Sequence, residues 1–173
     1  NPKEESLRLD YEEELKLNNL LDFEDLLLKV KELFETKKEV LEKYQDIYHY
    51  ILVDEFQDTS IVQYQIIKLL ASKRGNLFVV GDDDQSIYSF RGAHYTNVKL
   101  LKKDFKDVKT FKLEENYRST QTILDGCNRL ISHNLDRERK ELFSKIKGSD
   151  QDVVVYQAND EKDEATYIAN EIS

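Results

Sequence analysis

The chain has 173 residues, 39 % of them hydrophobic and 35 % charged, with a net charge of −9. At that length about 70 % of the unfolded surface can be buried, and Leu, Ile, Val, Phe and Tyr recur throughout, which excludes a disordered chain. The acidic total excludes a simple basic coat on DNA, the want of an apolar run of about 18 residues excludes a predicted membrane span, and a lone Cys127 excludes an internal disulfide.

Charge is unevenly spread. Residues 1–60 carry 8 Lys+Arg against 17 Asp+Glu, whereas residues 61–131 carry 12 against 8. A basic nucleic-acid groove therefore belongs to the middle third. The unpaired cysteine suits a reducing, cytoplasmic setting. The chain contains no Met, even at position 1, and opens without an apolar signal core. It is expected to be a piece of something longer.

In chain order, residues 5–18 read as an acidic helix with Leu7, Tyr11 and Leu15 on one face. A second helix starts after Asp22, a good N-cap, and buries Phe23, Leu26, Leu27, Val30, Leu33 and Phe34. Helical spacing resumes at Val40, Leu41, Tyr44 and Ile47 after a break at residues 36–38. Residues 50–53 are a short apolar run that suits a buried strand. Ser60 caps the next helix, with Ile61, Tyr64, Ile67, Leu70 and Ala71 inward. Residues 77–80 predict a second strand, 95–104 a helix, 108–113 a third strand, 120–132 a helix, 152–156 a fourth strand and 160–172 a last helix. A short helix is expected at 137–143 and a soft boundary near 113. The alternation after residue 48 predicts an α/β fold, a parallel sheet flanked by helices.

Ligands of such sheets sit at the carboxyl ends of the strands. The first predicted strand ends in Asp54-Glu55, the second in Gly81-Asp82-Asp83-Asp84-Gln85, and the third in Glu114-Glu115-Asn116-Tyr117-Arg118. Adjacent carboxylates can divide the work of nucleoside triphosphate hydrolysis, one holding Mg²⁺ and the other orienting or deprotonating water. Alone, Asp54-Glu55 would equally suit a helix start, where acids meet a favourable dipole. Gly81 allows a tight turn. Gln85 can donate and accept, so it could sense a terminal phosphate without adding charge. Tyr88 and Phe90, with Arg91 next, suit stacking on unpaired bases or, equally, a core position with Arg91 paired to an acid. Arg118 could reach a transferring phosphate and Tyr117 a base; alone, they read as surface residues before a helix cap. His49, His94 and His133 have no Cys or second His at ligand spacing and predict no metal site.

Three strings, VDEFQDT at 53–59, GDDDQSIYSFRGA at 81–93 and LEENYRST at 113–120, resemble motifs II, III and IV of superfamily 1 DNA helicases of the UvrD/Rep/PcrA type. LLDFEDLL at 20–27 resembles the family's segment upstream of motif II, and DEATYIANEI at 163–172 the start of its second RecA-like domain. The resemblance covers residues 20–173 and implies a partial RecA-like fold: residues 1–22 the end of a helical insertion, 23–113 the second half of the first RecA-like domain, and 114–173 the start of the second. It implies an enzyme that uses ATP and Mg²⁺ to move 3′ to 5′ on single-stranded DNA and unwind duplex. Asp54 would hold Mg²⁺ and Glu55 would be the base. Gln85 would contact the γ-phosphate, Tyr117 would stack on adenine, and Arg118 would be the arginine finger. Tyr88, Phe90 and Arg91 would meet single-stranded DNA. Phe90 stands where the UvrD type usually has Trp. The SFRGA string also occurs in RecB/AddA helicase–nucleases, which keeps that parent, and a non-catalytic binding module, as alternatives. A metal nuclease built on Asp54, Glu55 and Asp82 to Asp84 would leave ENYRST unexplained.

No GxxxxGK[ST] phosphate loop occurs in the chain. The β- and γ-phosphates would then lack their cradle of N–H groups and Lys, and the chain alone is expected to have little or no ATPase activity. The strand at 108–113 would also lose its usual neighbour. Unpaired edges of that kind predict rearrangement, self-association or marginal stability.

Overall fold

The computed structural model describes residues 2–86, 97–134, 139–149 and 153–173. Tyr88, Phe90 and Arg91 lie outside the described residues. The chain divides into two compact units, Asn1–Lys109 and Thr110–Ser173.

The first unit opens with three helices, α1 (Pro2–Leu17), α2 (Phe23–Thr36) and α3 (Lys38–Ile47). Asp22 caps α2 by a capping box. Its side chain accepts from the Asp25 N–H at 2.8 Å, and the Asp25 side chain accepts from the Asp22 N–H. Strand β1 (Ile51–Val53) follows, then helix α4 (Ile61–Ala71) and strand β2 (Leu77–Val79). Ser60 caps α4 by a second box with Gln63. The two strands are parallel, in the register Ile51↔Leu77, Leu52↔Phe78 and Val53↔Val79. A parallel pair needs a crossover, and α4 supplies it. Helix α5 (Asn97–Asp104) completes the unit.

Period-two alternation divides the strand residues between two faces. Val53, Leu77 and Val79 pack against buried Phe56, Tyr64 and Leu101, together with Val98, Leu100 and Phe105. Leu52 and Phe78, on the other face, are 73 % and 61 % exposed. The sheet therefore has one covered face and one open apolar face.

Buried polar groups lock the elements around this core. Gln45 donates from Nε2 to the Leu69 carbonyl at 2.8 Å and to Ser72 Oγ at 3.0 Å, so it satisfies the end of α4. Helix α5 is tied at both ends. Asn97, 1 % exposed, donates from Nδ2 to the Thr59 carbonyl at 2.8 Å and to Thr59 Oγ1 at 3.0 Å. At the other end Tyr64 donates its hydroxyl to Asp104 at 2.8 Å, and Lys68 pairs with the same carboxylate at 2.9 Å.

The second unit contains α6 (Gln121–Ile131) and α7 (Glu161–Ile172), with Leu124 buried. Here the sequence reading needs correcting. Residues 108–113 form no strand; Phe111 and Leu113 are exposed, and the sheet has two strands among the described residues. Residues 153–156 form no strand either, and residues 139–143 are not helical. Among the described residues of this unit, the pairing is a single parallel bridge, Glu115↔Phe143. An apolar stretch makes a strand only where a neighbour accepts from its N–H groups and donates to its C=O groups, and no described segment does so for 108–113 or 153–156.

Lys68 above all, then Tyr64, holds the Asp104 carboxyl below its ordinary range. A group with a depressed folded value contributes stability above its unfolded value, about 3.9 for Asp, and loses it as pH falls through the folded value. Tyr64→Phe is expected to cost about 1 kcal/mol, read as faster native-state hydrogen exchange of the α4 and α5 amides. The difference between the native chain and Asp104→Asn should be present at neutral pH and shrink below about pH 3.9.

Candidate active site

In the first unit the site is built on the carboxyl ends of β1 and β2. Because the strands are parallel and in register, Asp54-Glu55 and Gly81–Gln85 leave the sheet at the same edge. Backbone bonds continue past the strands: Val80 N–H donates to the Val53 carbonyl at 2.8 Å, and Phe56 N–H donates to the Val80 carbonyl at 2.9 Å. The second of these pulls the chain after Glu55 back across β2.

That reversal places Glu55 in the left-handed region, with φ 48° and ψ 44°. A residue with a Cβ holds this conformation only when its surroundings enforce it, and such strain gathers at functional sites. Phe56, buried behind it, anchors the turn Phe56–Asp58 to the core. Asp54 and Glu55 stay exposed. Asp54 Oδ1 accepts from the Glu55 N–H at 2.9 Å, and Asp54 has no ion-pair partner among the described residues.

Gln57 is 3 % exposed and joins the two loops. Its Nε2 donates to Glu55 Oε2 at 2.8 Å, and its Oε1 accepts from the Asp82 N–H at 3.0 Å. Asp82 in turn accepts from the Asp84 N–H at 3.0 Å and from Gln85 Nε2 at 3.0 Å. One chain of hydrogen bonds thus runs from the Glu55 carboxylate to the exposed Gln85 amide. Gly81 is required by space: a Cβ there would lie 2.8 Å from Gln57 Oε1 and 3.3 Å from Phe56 Cβ. Two buried acceptors nearby, Asp58 Oδ1 and Asn97 Oδ1, have no donor among the described residues.

In the second unit, Asn116 shapes the segment that carries Tyr117 and Arg118. Its Oδ1 accepts from the Arg118 N–H at 2.9 Å and the Ser119 N–H at 2.8 Å, a side-chain turn of the kind Asn favours. The segment is held to residues 141–146. Asn116 N–H donates to the Phe143 carbonyl at 2.7 Å, and Gln121 Oε1 accepts from the Ser144 N–H at 2.7 Å. Glu115 pairs with Lys145 at 2.7 Å; Lys145, and then the Tyr117 hydroxyl, hold its carboxyl below the ordinary range. The hydrogen bond to Glu115 raises the Tyr117 hydroxyl. The Tyr117 residue is exposed, and Arg118 is exposed with no ion pair among the described residues.

Comparison with known proteins decides the family. Residues 3–106 match the UvrD/REP helicase N-terminal domain, and residues 111–173 match the UvrD-like helicase C-terminal domain. The chain belongs to the UvrD/REP helicase family. It is 47 % identical over 162 residues to ATP-dependent DNA helicase PcrA of Staphylococcus epidermidis, which covers 94 % of this chain and 22 % of that protein. It is 50 % identical over 153 residues to DNA helicase II of Haemophilus influenzae, covering 88 % of this chain and 21 % of the relative. Staphylococcus aureus PcrA is 46 % identical over 162 residues. The chain therefore spans about a fifth of the length of the relatives it matches.

In this UvrD/REP segment the structure brings Asp54, Glu55 and Gln85 to one sheet edge, while Tyr117 and Arg118 share one turn of the other unit. The residues that sequence reasoning missed are Gln57, Asn97 and Asn116. The signal for Gln57 was present: an uncharged amide directly after an aromatic residue, in a motif that carries three acids, Asp54, Glu55 and Asp58.

Gly81→Ala is expected to destabilise the first unit by about 1–3 kcal/mol, because Gln57 and Phe56 would have to move. Urea denaturation followed by the Val80 and Asp82 amide signals checks this, and an unchanged midpoint would show that the close approach is dispensable.

Proposed function

We propose that this chain is a segment of the motor of an ATP-dependent DNA helicase, which moves 3′ to 5′ on single-stranded DNA and unwinds duplex in repair or replication, in the cytoplasm. The observation that carries this reading is the joined edge of β1 and β2, where Glu55 and Gln85 sit at the two ends of one hydrogen-bonded chain. Residues 1–22 belong to the helical insertion, 23–113 to the first RecA-like domain and 114–173 to the second.

Phosphoryl transfer needs positioning and charge neutralisation more than covalent chemistry. Glu55 takes the proton of the attacking water, and its left-handed backbone and its bond from Gln57 fix where the carboxylate stands. Gln85 contacts the γ-phosphate and is linked through Asp82 to the same loop. Asp54 contributes to holding Mg²⁺. Among the described residues no group of three or more His, Cys, Asp or Glu forms a metal cage, and Mg²⁺ at nucleotide sites is held by one or two carboxylates plus phosphates. The exposed Asp54 carboxylate fits that donor set. The ion, when bound, neutralises charge on the phosphates. Tyr117 stacks on adenine through its exposed ring, and Arg118 meets the transferring phosphoryl group.

Tyr88, Phe90 and Arg91 contact single-stranded DNA. The open Leu52 and Phe78 face supports burial against the remaining helicase domains, or against another copy when those are missing. No helix among the described residues is long and apolar enough to cross a membrane.

The chain alone is expected to show no hydrolysis of Mg·ATP above that of Glu55→Gln, with or without single-stranded DNA. Turnover that depends on Glu55 would mean that a phosphate cradle exists within these 173 residues and that the upstream loop is dispensable.

A further inference from the structure

Gln57 carries an inference that rests on the reading of Glu55 and Gln85 as groups of the ATPase site. Its side-chain orientation is fixed by chemistry. A carboxylate only accepts and a backbone N–H only donates, so Nε2 must face Glu55 and Oε1 must face Asp82, as they do at 2.8 and 3.0 Å. The amide is almost fully buried, which makes both bonds costly to lose. Gly81 leaves room for it, because a Cβ there would stand 2.8 Å from Gln57 Oε1.

We propose that Gln57 is a positioning residue for ATP hydrolysis, one that fixes the Glu55 carboxylate with its donor and the Asp82–Gln85 loop with its acceptor. Each half has its own consequence. The donor holds the base where a water must meet it. The acceptor holds Asp82, whose carboxylate receives Gln85 Nε2. A shift of Gln85 toward or away from a phosphate is thereby transmitted to the base through three hydrogen bonds. Gln supplies both halves at every pH, whereas Glu accepts from Asp82 and, once ionised, has no proton to donate to a carboxylate, and Leu does neither.

Two measurements test the proposal. The first is amide hydrogen exchange on the 173-residue chain, with the Val80 N–H as internal reference for the sheet. Gln57→Leu should speed Asp82 exchange about 10-fold or more relative to Val80, as expected for a lost hydrogen bond. Gln57→Glu should leave Asp82 protected, because the acceptor remains. If Leu simply unfolds the unit, the Glu variant decides, and loss of Asp82 protection there overturns the tether.

The second is steady-state ATP hydrolysis by the intact helicase that carries this segment. At alkaline pH, where both carboxyls are ionised, Gln57→Glu should lower kcat about 10-fold or more, with KM for ATP within about 3-fold, since the base and not the ground-state site is displaced; the loss should shrink as pH falls and one carboxyl regains a proton to donate. The double variant Glu55→Gln with Gln57→Glu should be no slower than Glu55→Gln alone, because Gln57 acts through the Glu55 carboxylate. Multiplicative losses would overturn the proposal and leave Gln57 a structural residue. If Glu55→Gln by itself leaves kcat unchanged, the assignment of the base fails, a result separate from the exchange of Asp82.

Discussion

The parallel pairing of Ile51–Val53 with Leu77–Val79 is the constraint on which the rest of the first unit depends. Parallel strands end at the same edge, so a three-residue register is enough to bring Asp54-Glu55 and Gly81–Gln85 together from positions about 30 residues apart in sequence. The same pairing sends Val53, Leu77 and Val79 to one face, where Phe56, Tyr64 and Leu101 bury them. Site and core are thus two outcomes of one register. A slip by one residue would expose the core side chains and separate the carboxylates from Gln85.

Around that pairing, the unit relies on buried amides more than on ion pairs. Gln45, Gln57 and Asn97 are the buried polar residues among those described, and each ties one element to the next. An amide both donates and accepts, so it can join a carbonyl, a carboxylate and an N–H without the desolvation cost of a charge. Asn97 makes the start of α5 follow Thr59, in the same loop as Glu55. Through this arrangement the entry to α5 and the loop that carries Glu55 share a wall. Exposed pairs such as Lys38–Glu42 on α3 contribute little by comparison.

Much of this was legible in the sequence. Asp22 and Ser60 announce α2 and α4, and both form capping boxes. The apolar runs at 50–53 and 77–80 announce β1 and β2, each bounded by the polar residues that make the site. The runs at 108–113 and 153–156 carry a similar pattern and form no strand, because a strand is a relation between two segments. Side-chain alternation records which face is apolar and holds no record of whether a neighbour is present. The left-handed Glu55 was not legible either. It follows from the bond between Phe56 and Val80, a tertiary fact with no local signature. Gly81 was legible as a turn residue at the end of β2; the close approach of Gln57, which a Cβ there would obstruct, was not.

On the proposed function, Glu55 and Gln85 serve an ATP site, and that site works only with a GxxxxGK[ST] phosphate loop, a motif these 173 residues do not contain. The most direct measurement joins the chain to an upstream family segment carrying a GxxxxGK[ST] loop and follows ATP hydrolysis with and without single-stranded DNA. The account predicts that DNA-stimulated turnover appears on joining and disappears again with Glu55→Gln. Turnover in the joined protein that is indifferent to Glu55 would contradict it.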